Sequence, residues 1–292
     1  MNTTTRLPIT KTPKVYVGGA FIRSESGRVL PVYDPADAER LLGNVPLCTR
    51  KDLRNAVEVA AAAGPGWAKR TAYNRGQIIY RLAEMMESRA DEFAANLAQQ
   101  AVADPAREVA ATVDRLVYYA GWADKFAQVL GNTNPVSGPY FNFTLPEPVG
   151  VVGVLTENGA PPLLGLVSQI VPIIVSGNTV VAFAAEAAPL AAILLGEMLA
   201  VSDLPGGVVN LLTGKRADLV GTFATHQAIR AVDAAGVSDG ERKTLALGAA
   251  DSVKRLKTRA PGATDWLALT AQGVEEIASF IEYKTIWHPV GA

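Results

Sequence analysis

The chain holds a single cysteine, Cys48, which excludes an internal disulfide, and its two histidines, His226 and His288, are too few for a His-rich metal site. Neither sign of charge is in excess: 27 Lys and Arg stand against 28 Asp and Glu, a net charge of −1. That balance gives no electrostatic footprint for nucleic acid or an anionic membrane. The apolar runs are broken by Pro172, Glu186 and Glu197 before they reach the roughly 20 residues that a membrane span needs. The start, MNTTTRLPITKTPK, has no apolar signal core, and no Gly-x-Gly-x-x-Gly fingerprint occurs. These absences lead to the expectation of a soluble chain in a reducing cytoplasm, with proteins or small molecules as its partners.

What is present is core-forming material. With 49% hydrophobic residues in 292, the chain can bury one large domain or two modest ones. It is organised around Glu147 to Pro205. Val149 to Leu155 is a short apolar run punctuated by Gly150 and Gly153, as suits a strand buried on both faces. Pro161 and Pro162 open a helix whose apolar residues, Leu163 to Val175, cover more than one face, and Ser176-Gly177-Asn178 stops it. Thr179 to Phe183 is a second apolar strand, Pro189 to Val201 a second helix, and Gly207 to Thr213 a third strand. Strand, helix and parallel strand repeat as right-handed crossovers, so the fold class is α/β with a Rossmann-like open, mostly parallel sheet. Ligands of such sheets sit at the carboxyl ends of the strands, which directs the search to residues 156–161, 183–189 and 214–216.

Around this centre, residues 1–13 read as a loose leader and Lys14 to Ile22 as a hairpin about Gly18-Gly19 that Val29 to Asp34 continues. Thr49 caps a helix that Gly64-Pro65-Gly66 is expected to end. Tyr73 to Ser88, Ala90 to Gln100 and one long stretch from Pro105 to Val129 are further helices. Between them and the sheet, Phe141, Phe143 and Leu145 alternate with Asn142 and Thr144 as in an exposed strand. Beyond the sheet core, Ala231 to Ala235 reads as a strand and Ser238 to Gly248 as a helix; residues 251–266 are open between a loop and a short strand. Ala271 to Phe280 is helical and Ile281 to Val290 a terminal strand. Tyr118, Tyr119 and Trp122 at helical spacing suit a core face, and His226 a surface position near a helix end.

Several stretches in this order resemble the aldehyde dehydrogenase superfamily: YYAGWADK at Tyr118–Lys125, EPVGVVG at Glu147–Gly153, GNTVV at Gly177–Val181 and LPGGVVN at Leu204–Asn210. The tail Glu282 to Trp287 resembles the family's arm strand, and Gly138 to Pro146 the hairpin it pairs with. The resemblance therefore implies a dinucleotide-binding-type domain over 14–134 and 147–270, with an oligomerisation arm over 135–146 plus 281–292. It also implies that the family's catalytic domain is missing between about Gly262 and Gly273, as in the shortened, non-catalytic second half of family 16 aldehyde dehydrogenases.

On the same resemblance no residue is assigned to catalysis. The nucleophile has no counterpart, and Cys48 reads as a small buried hydrophobe. The oxyanion-stabilising Asn falls at Gly159 when aligned on Pro161, with Asn158 one residue away. The general base falls at Arg259, and a guanidinium accepts no proton at neutral pH. Of the pair that holds the adenosine ribose, Glu186 is kept as a vestige, or is simply a solvated residue, and the Lys is Phe183. Asp239 stands near the helix terminus that should face a pyrophosphate. Weak or no NAD binding is expected. A heteromeric contact with a full-length aldehyde dehydrogenase, or a homodimer, is expected through Phe141, Phe143, Tyr283, Ile286 and Trp287 of the arm. An NAD(H)-binding regulatory module is the alternative. A residual oxidoreductase or ester-hydrolysing activity is another, using Glu157, whose simpler reading is a solvated loop carboxylate.

Overall fold

The computed structural model describes residues 11–159 and 161–291, so most of the expected leader lies outside the described residues. The chain opens with β1 (Val15–Val17), β2 (Ala20–Ile22), β3 (Val29–Asp34) and β4 (Asp37–Pro46). Helices α1 (Arg50–Ala68), α2 (Ala72–Glu87), α3 (Ala90–Gln99), α4 (Pro105–Trp122) and α5 (Phe126–Leu130) follow. The short β5 (Asn132–Asn134) and β6 (Tyr140–Pro148) lead into the α/β core of β7 (Val151–Leu155), α6 (Pro162–Val175), β8 (Thr179–Phe183), α7 (Pro189–Val201) and β9 (Val209–Leu212). The chain ends with α8 (Arg216–Thr225), β10 (Ile229–Ala234), α9 (Asp239–Ser252), β11 (Arg255–Thr258), α10 (Val274–Ala278) and β12 (Ile281–Pro289).

The main sheet has seven strands in the order β11-β10-β7-β8-β9-β1-β2. From β11 to β9 every pairing is parallel, and the β1–β2 hairpin closes the far edge antiparallel to β9. Order reverses beside β7, whose sequence neighbour β8 lies on one side and β10 on the other, which is where sheets of this kind form a ligand crevice at their carboxyl ends. Both faces of the sheet are covered. Val152, Val154, Val180 and Ala182 face α6, with α2 and α4 behind it, while Val151, Leu155, Val181 and Phe183 face α1 and α8. Every residue of α6 is buried, which is why its apolar surface runs all round. A separate three-stranded sheet, β12-β6-β5, stands off the body as the arm, and β3 and β4 form a two-stranded ribbon.

Three helix boundaries differ from the sequence reading. Helix α1 passes through Gly64-Pro65-Gly66 to Ala68 although Pro65 forfeits a hydrogen bond of the helix, because burial of Trp67, whose Nε1 donates to Ile174 O at 2.8 Å, holds that turn down. The long stretch from Pro105 breaks after Trp122, where Lys125 Nζ donates to Gly121 O at 2.8 Å and ties up a carbonyl of the ending turn. Residues 271–280 keep only a five-residue α10 after a 3₁₀ turn at Leu269–Ala271. The open choice at 251–266 resolves into the strand β11 followed by loop. Among the described residues no helix is long and apolar enough to cross a membrane.

Asn178 joins the pieces. Its Oδ1 accepts from Gly150 N at 2.8 Å, before β7, and its Nδ2 donates to Phe280 O at 2.7 Å, before β12, and to Ser176 Oγ at 2.9 Å. It is fully buried, so its partners have no water to turn to. Asn178→Ala is expected to lower stability by about 2–4 kcal/mol, read as a fall in the urea midpoint without a change in slope.

Candidate functional site

The loops at the carboxyl ends of β7, β8 and β9 are stitched to one another. Asn158 Oδ1 accepts from Glu186 N at 2.6 Å, and Glu186 Oε1 accepts from Arg216 N, the first residue of α8, at 2.6 Å. Glu186 is thus half-buried and engaged with a helix N-terminus, where a carboxylate is favoured, and is not the free surface residue of its simpler reading. Phe183 is fully buried and packs within the sheet core. It presents no group to the crevice.

Arg216 fills the centre of this edge. Its Nε donates to Glu241 Oε1 at 2.8 Å, and its Nη1 donates to Thr156 O at 3.0 Å and Ala235 O at 2.8 Å. One side chain therefore joins the ends of β7 and β10 to α9 from a site that is 5% exposed. The N-terminus of α9 is closed by its own capping box, in which Ser238 and Glu241 serve each other's backbone N–H, and Asp239 stays exposed beside it.

Glu157 corrects its reading as a solvated carboxylate. It is 5% exposed, and its Oε1 accepts from Gly262 N at 2.6 Å. Gly236, at φ 62°, lies so close that a Cβ there would overlap the Glu157 side chain. The loop after β11 is thereby held onto the end of β7. Gly159 carries φ 85°, a left-handed turn conformation that suits glycine. Its neighbour Ala160 lies outside the described residues.

Arg259 follows β11 and enters a network of charged partners. It pairs with Asp233 of β10, which is fully buried, and its Nη2 donates to Glu276 Oε2 of α10 at 2.8 Å. Lys257 Nζ reaches the same Glu276 oxygen at 2.6 Å, and the Arg259 guanidinium lies 5.3 Å from the Trp266 ring centroid. Burial pushes the Asp233 carboxyl up, against the pull of the Arg259 charge.

Two residues of α4 that sequence reasoning did not single out act as braces, one for the loop after β11 and one for the start of α6. Arg115 of α4 donates to Ser168 Oγ at 2.6 Å, Ala271 O at 3.0 Å and Trp266 O at 2.9 Å. Glu108, also on α4 and 3% exposed, accepts from Leu163 N at 2.7 Å and Leu164 N at 3.1 Å at the start of α6, and burial raises its carboxyl. The signal for both was a charge on the buried stripe of α4. Cys48 is 1% exposed, and burial pushes its thiol up to about 12. Tyr119 is buried, and His226 is half-buried at the C-terminal end of α8. Among the described residues no group of three or more His, Cys, Asp or Glu could hold a metal ion.

In the arm, the β12–β6 register pairs Ile286 with Phe143, Lys284 with Leu145 and His288 with Phe141, so Phe141, Phe143 and Ile286 share one face with Leu145. Tyr283 and Trp287 pair with Pro146 and Asn142 on the other. The five arm residues named from the sequence therefore divide between two surfaces.

The aldehyde dehydrogenase family profile matches residues 21–288. Retinal dehydrogenase 2 of Gallus gallus is 34% identical over 258 residues, 82% of this chain and 49% of that protein. The putative aldehyde dehydrogenase DhaS of Bacillus subtilis is 31% identical over 84% of this chain and 50% of its own length. Among solved structures, the NAD+ complex of an aldehyde dehydrogenase from Bacillus cereus superposes with a TM-score of 0.77 at 28% identity, covering 85% of this chain and 50% of that one. The chain spans about half the length of the curated relatives it matches.

Two outcomes test the electrostatics of this edge. Arg259→Glu sets a carboxylate against Asp233 and Glu276 and is expected to cost about 3–5 kcal/mol in urea unfolding, with Arg259→Lys losing distinctly less. Lys254, 8% exposed, donates to His226 O at 3.0 Å, and burial lowers its pKa to about 8. Above that pH the unfolded chain binds more protons than the folded one. The contribution of Lys254 to stability therefore rises from about pH 8 to the unfolded lysine value of about 10.4. Lys254→Met is expected to flatten that rise in urea titrations across the window.

Proposed function

The chain belongs to the aldehyde dehydrogenase family, and from that premise we propose that it is a non-catalytic member, a structural or regulatory partner that engages a full-length aldehyde dehydrogenase through its arm. The observation that carries this reading is the engagement of the loop after β11. At the position that the resemblance gives to a general base, Arg259 is locked between Asp233 and Glu276. The residues that follow it are held by Glu157 and Arg115 and run directly into α10 and the arm strand β12. In this reading no catalytic domain interrupts that connection, which parallels the shortened second half of family 16 aldehyde dehydrogenases. A cytoplasmic setting belongs to the same reading.

NAD does not fit the residues present in the way the family resemblance implies. The ribose-holding lysine is replaced by buried Phe183, and Glu186 already accepts from Arg216 N. The helix N-terminus of α9 carries exposed Asp239, which repels a pyrophosphate. We therefore infer weak or no NAD binding and route no chemistry through it. A nucleotide-sensing module is the second reading, favoured by the retained Glu186 and by the Bacillus cereus relative having been solved with NAD+.

The arm supplies the contact in the main reading. Strand β12 pairs with β6 on one side only, and its outer edge offers a row of backbone groups for strand addition by a partner. A tagged chain recovered from native extract is expected to bring a stoichiometric full-length aldehyde dehydrogenase, identified by mass, and to lose it when residues 283–290 are deleted. Aldehyde oxidation by the purified chain alone would overturn the reading, and saturation-transfer contacts from millimolar NAD would move the sensor reading ahead of it.

A further inference from the structure

A second recess lies at the opposite, amino-terminal end of the main sheet. It has a volume of about 350 Å³ and lies between the end of α1 and the starts of β7, β8 and β10, against walls that include Gly64, Ala68, Gly150, Gly177 and Ala228. Among the described residues that line it, Arg230 is the only charged one, and Gln227 adds an amide at the rim. A volume of this order lies within the range of small-ligand sites.

Arg230 is placed there by a break in the sheet. In the β10–β7 pairing Ile229 stands opposite Val151 and Ala231 opposite Val152, so Arg230 is the extra residue of a β-bulge. Bulges are rare between parallel strands, and where they occur they re-aim a side chain. The stem of Arg230 then lies over Gly150, where a Cβ would come within 3.3 Å of Arg230 Cγ. Gly150 itself, at φ 120°, is pinned by Asn178 Oδ1 on its N–H and by Thr179 N on its carbonyl. Thr179 Oγ1 in turn donates to Ala60 O at 3.0 Å, which fixes the α1 wall. The floor and the α1 wall are formed before any ligand arrives, and the exposed Arg230 side chain is the part that binding would order.

We propose that this recess binds a small amphipathic monocarboxylate, with its carboxylate on the Arg230 guanidinium and its hydrocarbon chain against the small apolar residues of the floor. The planar fork of arginine matches a carboxylate through parallel N–H donors, and the absence of an acidic residue in the lining leaves that fork available. The lining can exchange dispersion contacts with a hydrocarbon chain but offers few polar groups to a sugar or a nucleotide. This site is separate from the carboxyl edge of the sheet and does not depend on the arm reading.

The test uses the purified full chain with octanoate as the probe and octylamine as the control of opposite charge, followed by titration calorimetry and saturation-transfer NMR. Saturable octanoate binding without octylamine binding is expected. Arg230→Gln is expected to weaken it about tenfold or more. Ala61→Leu is expected to abolish it by filling the recess. Ala61 lines the recess from an exposed helical position of α1, and leucine is a good helix former, so the variant is expected to fold with a melting temperature close to that of the parent. No saturable octanoate binding by the parent chain, octylamine binding of equal strength, or octanoate binding that survives either substitution would overturn the assignment.

Discussion

Burying a guanidinium obliges the protein to supply acceptors for it, because the group cannot shed its charge at any ordinary pH. Arg75, Arg115 and Arg216 are each no more than 7% exposed, and each answers that demand with acceptors far away in sequence. Arg75 reaches Val175 O at the end of α6, Arg115 reaches Trp266 O and Ala271 O, and Arg216 reaches Thr156 O and Ala235 O. Arg259 does the same with the carboxylates of Asp233 and Glu276. Alongside Asn178 and Trp67, these cations make the joints between helical layer, sheet and terminal segment. Losing one leaves carbonyls or carboxylates buried without a donor, so the desolvation that makes each arginine costly also makes each joint specific.

The same demand governs the carboxyl edge. In an open parallel sheet this edge is where ligands are admitted, since loops diverge at the switch in strand order. Here the loops converge instead. Asn158, Glu186 and the α8 N-terminus form one chain of hydrogen bonds, Arg216 spans the gap behind it, and Glu157 draws in the backbone at Gly262. Asn158 Oδ1, Glu186 Oε1, Glu157 Oε1 and the Nε and Nη1 of Arg216 already face the protein, while Thr156 Oγ1 and Arg216 Nη2 are buried without a partner among the described residues. A substrate or cofactor entering here would have to replace intramolecular bonds of the charge-assisted kind, which are the stronger ones.

How much of this was legible in the sequence follows from what each residue answers to. Strands β7 and β8 and helix α6 were legible to within a residue or two because they are buried on all sides, and their apolar runs reflect nothing else. Strand β4 was not, since DAERLLGNVP is mostly exposed and shows no alternation of period two. The passage of α1 through Gly64-Pro65-Gly66 was hidden because a tertiary contact, Trp67 against α6, overrode a local stop signal. In the candidate site, resemblance could say which positions matter but not which way they point. Glu157 read as a loop carboxylate and is a buried brace, and Glu108 and Arg115 read as ordinary helix charges although they hold α6 and the loop after β11. A one-letter code reports the type of a charged residue, and only the fold reports its acceptor.

The arm obeys a different constraint, that of a thin sheet with two exposed faces. One face carries a polar ladder, in which Asn134 Nδ2 donates to Thr144 Oγ1 at 2.9 Å and Thr144 meets Thr285 at 3.1 Å, with Trp287 packed edge-on to Tyr140 at its end. The other carries Phe141 and Phe143 with ring centroids 5.4 Å apart, beside Leu145 and Ile286. Cross-strand aromatic pairs of this sort stabilise a register but leave their outer surfaces in water. Phe141 is 48% exposed and Leu145 44%, and together they form the kind of contiguous apolar strip that a sheet retains when another surface covers it. On the ladder face Asn142 Nδ2 is buried without a partner among the described residues, and Tyr140, Tyr283 and Trp287 are 45%, 51% and 58% exposed, so aromatic surface lies in water beside the polar ladder. The two faces therefore differ in what they ask of a neighbour: the Phe141–Phe143–Ile286 side presents an apolar strip, and the other presents Tyr140, Tyr283 and Trp287 around a polar ladder.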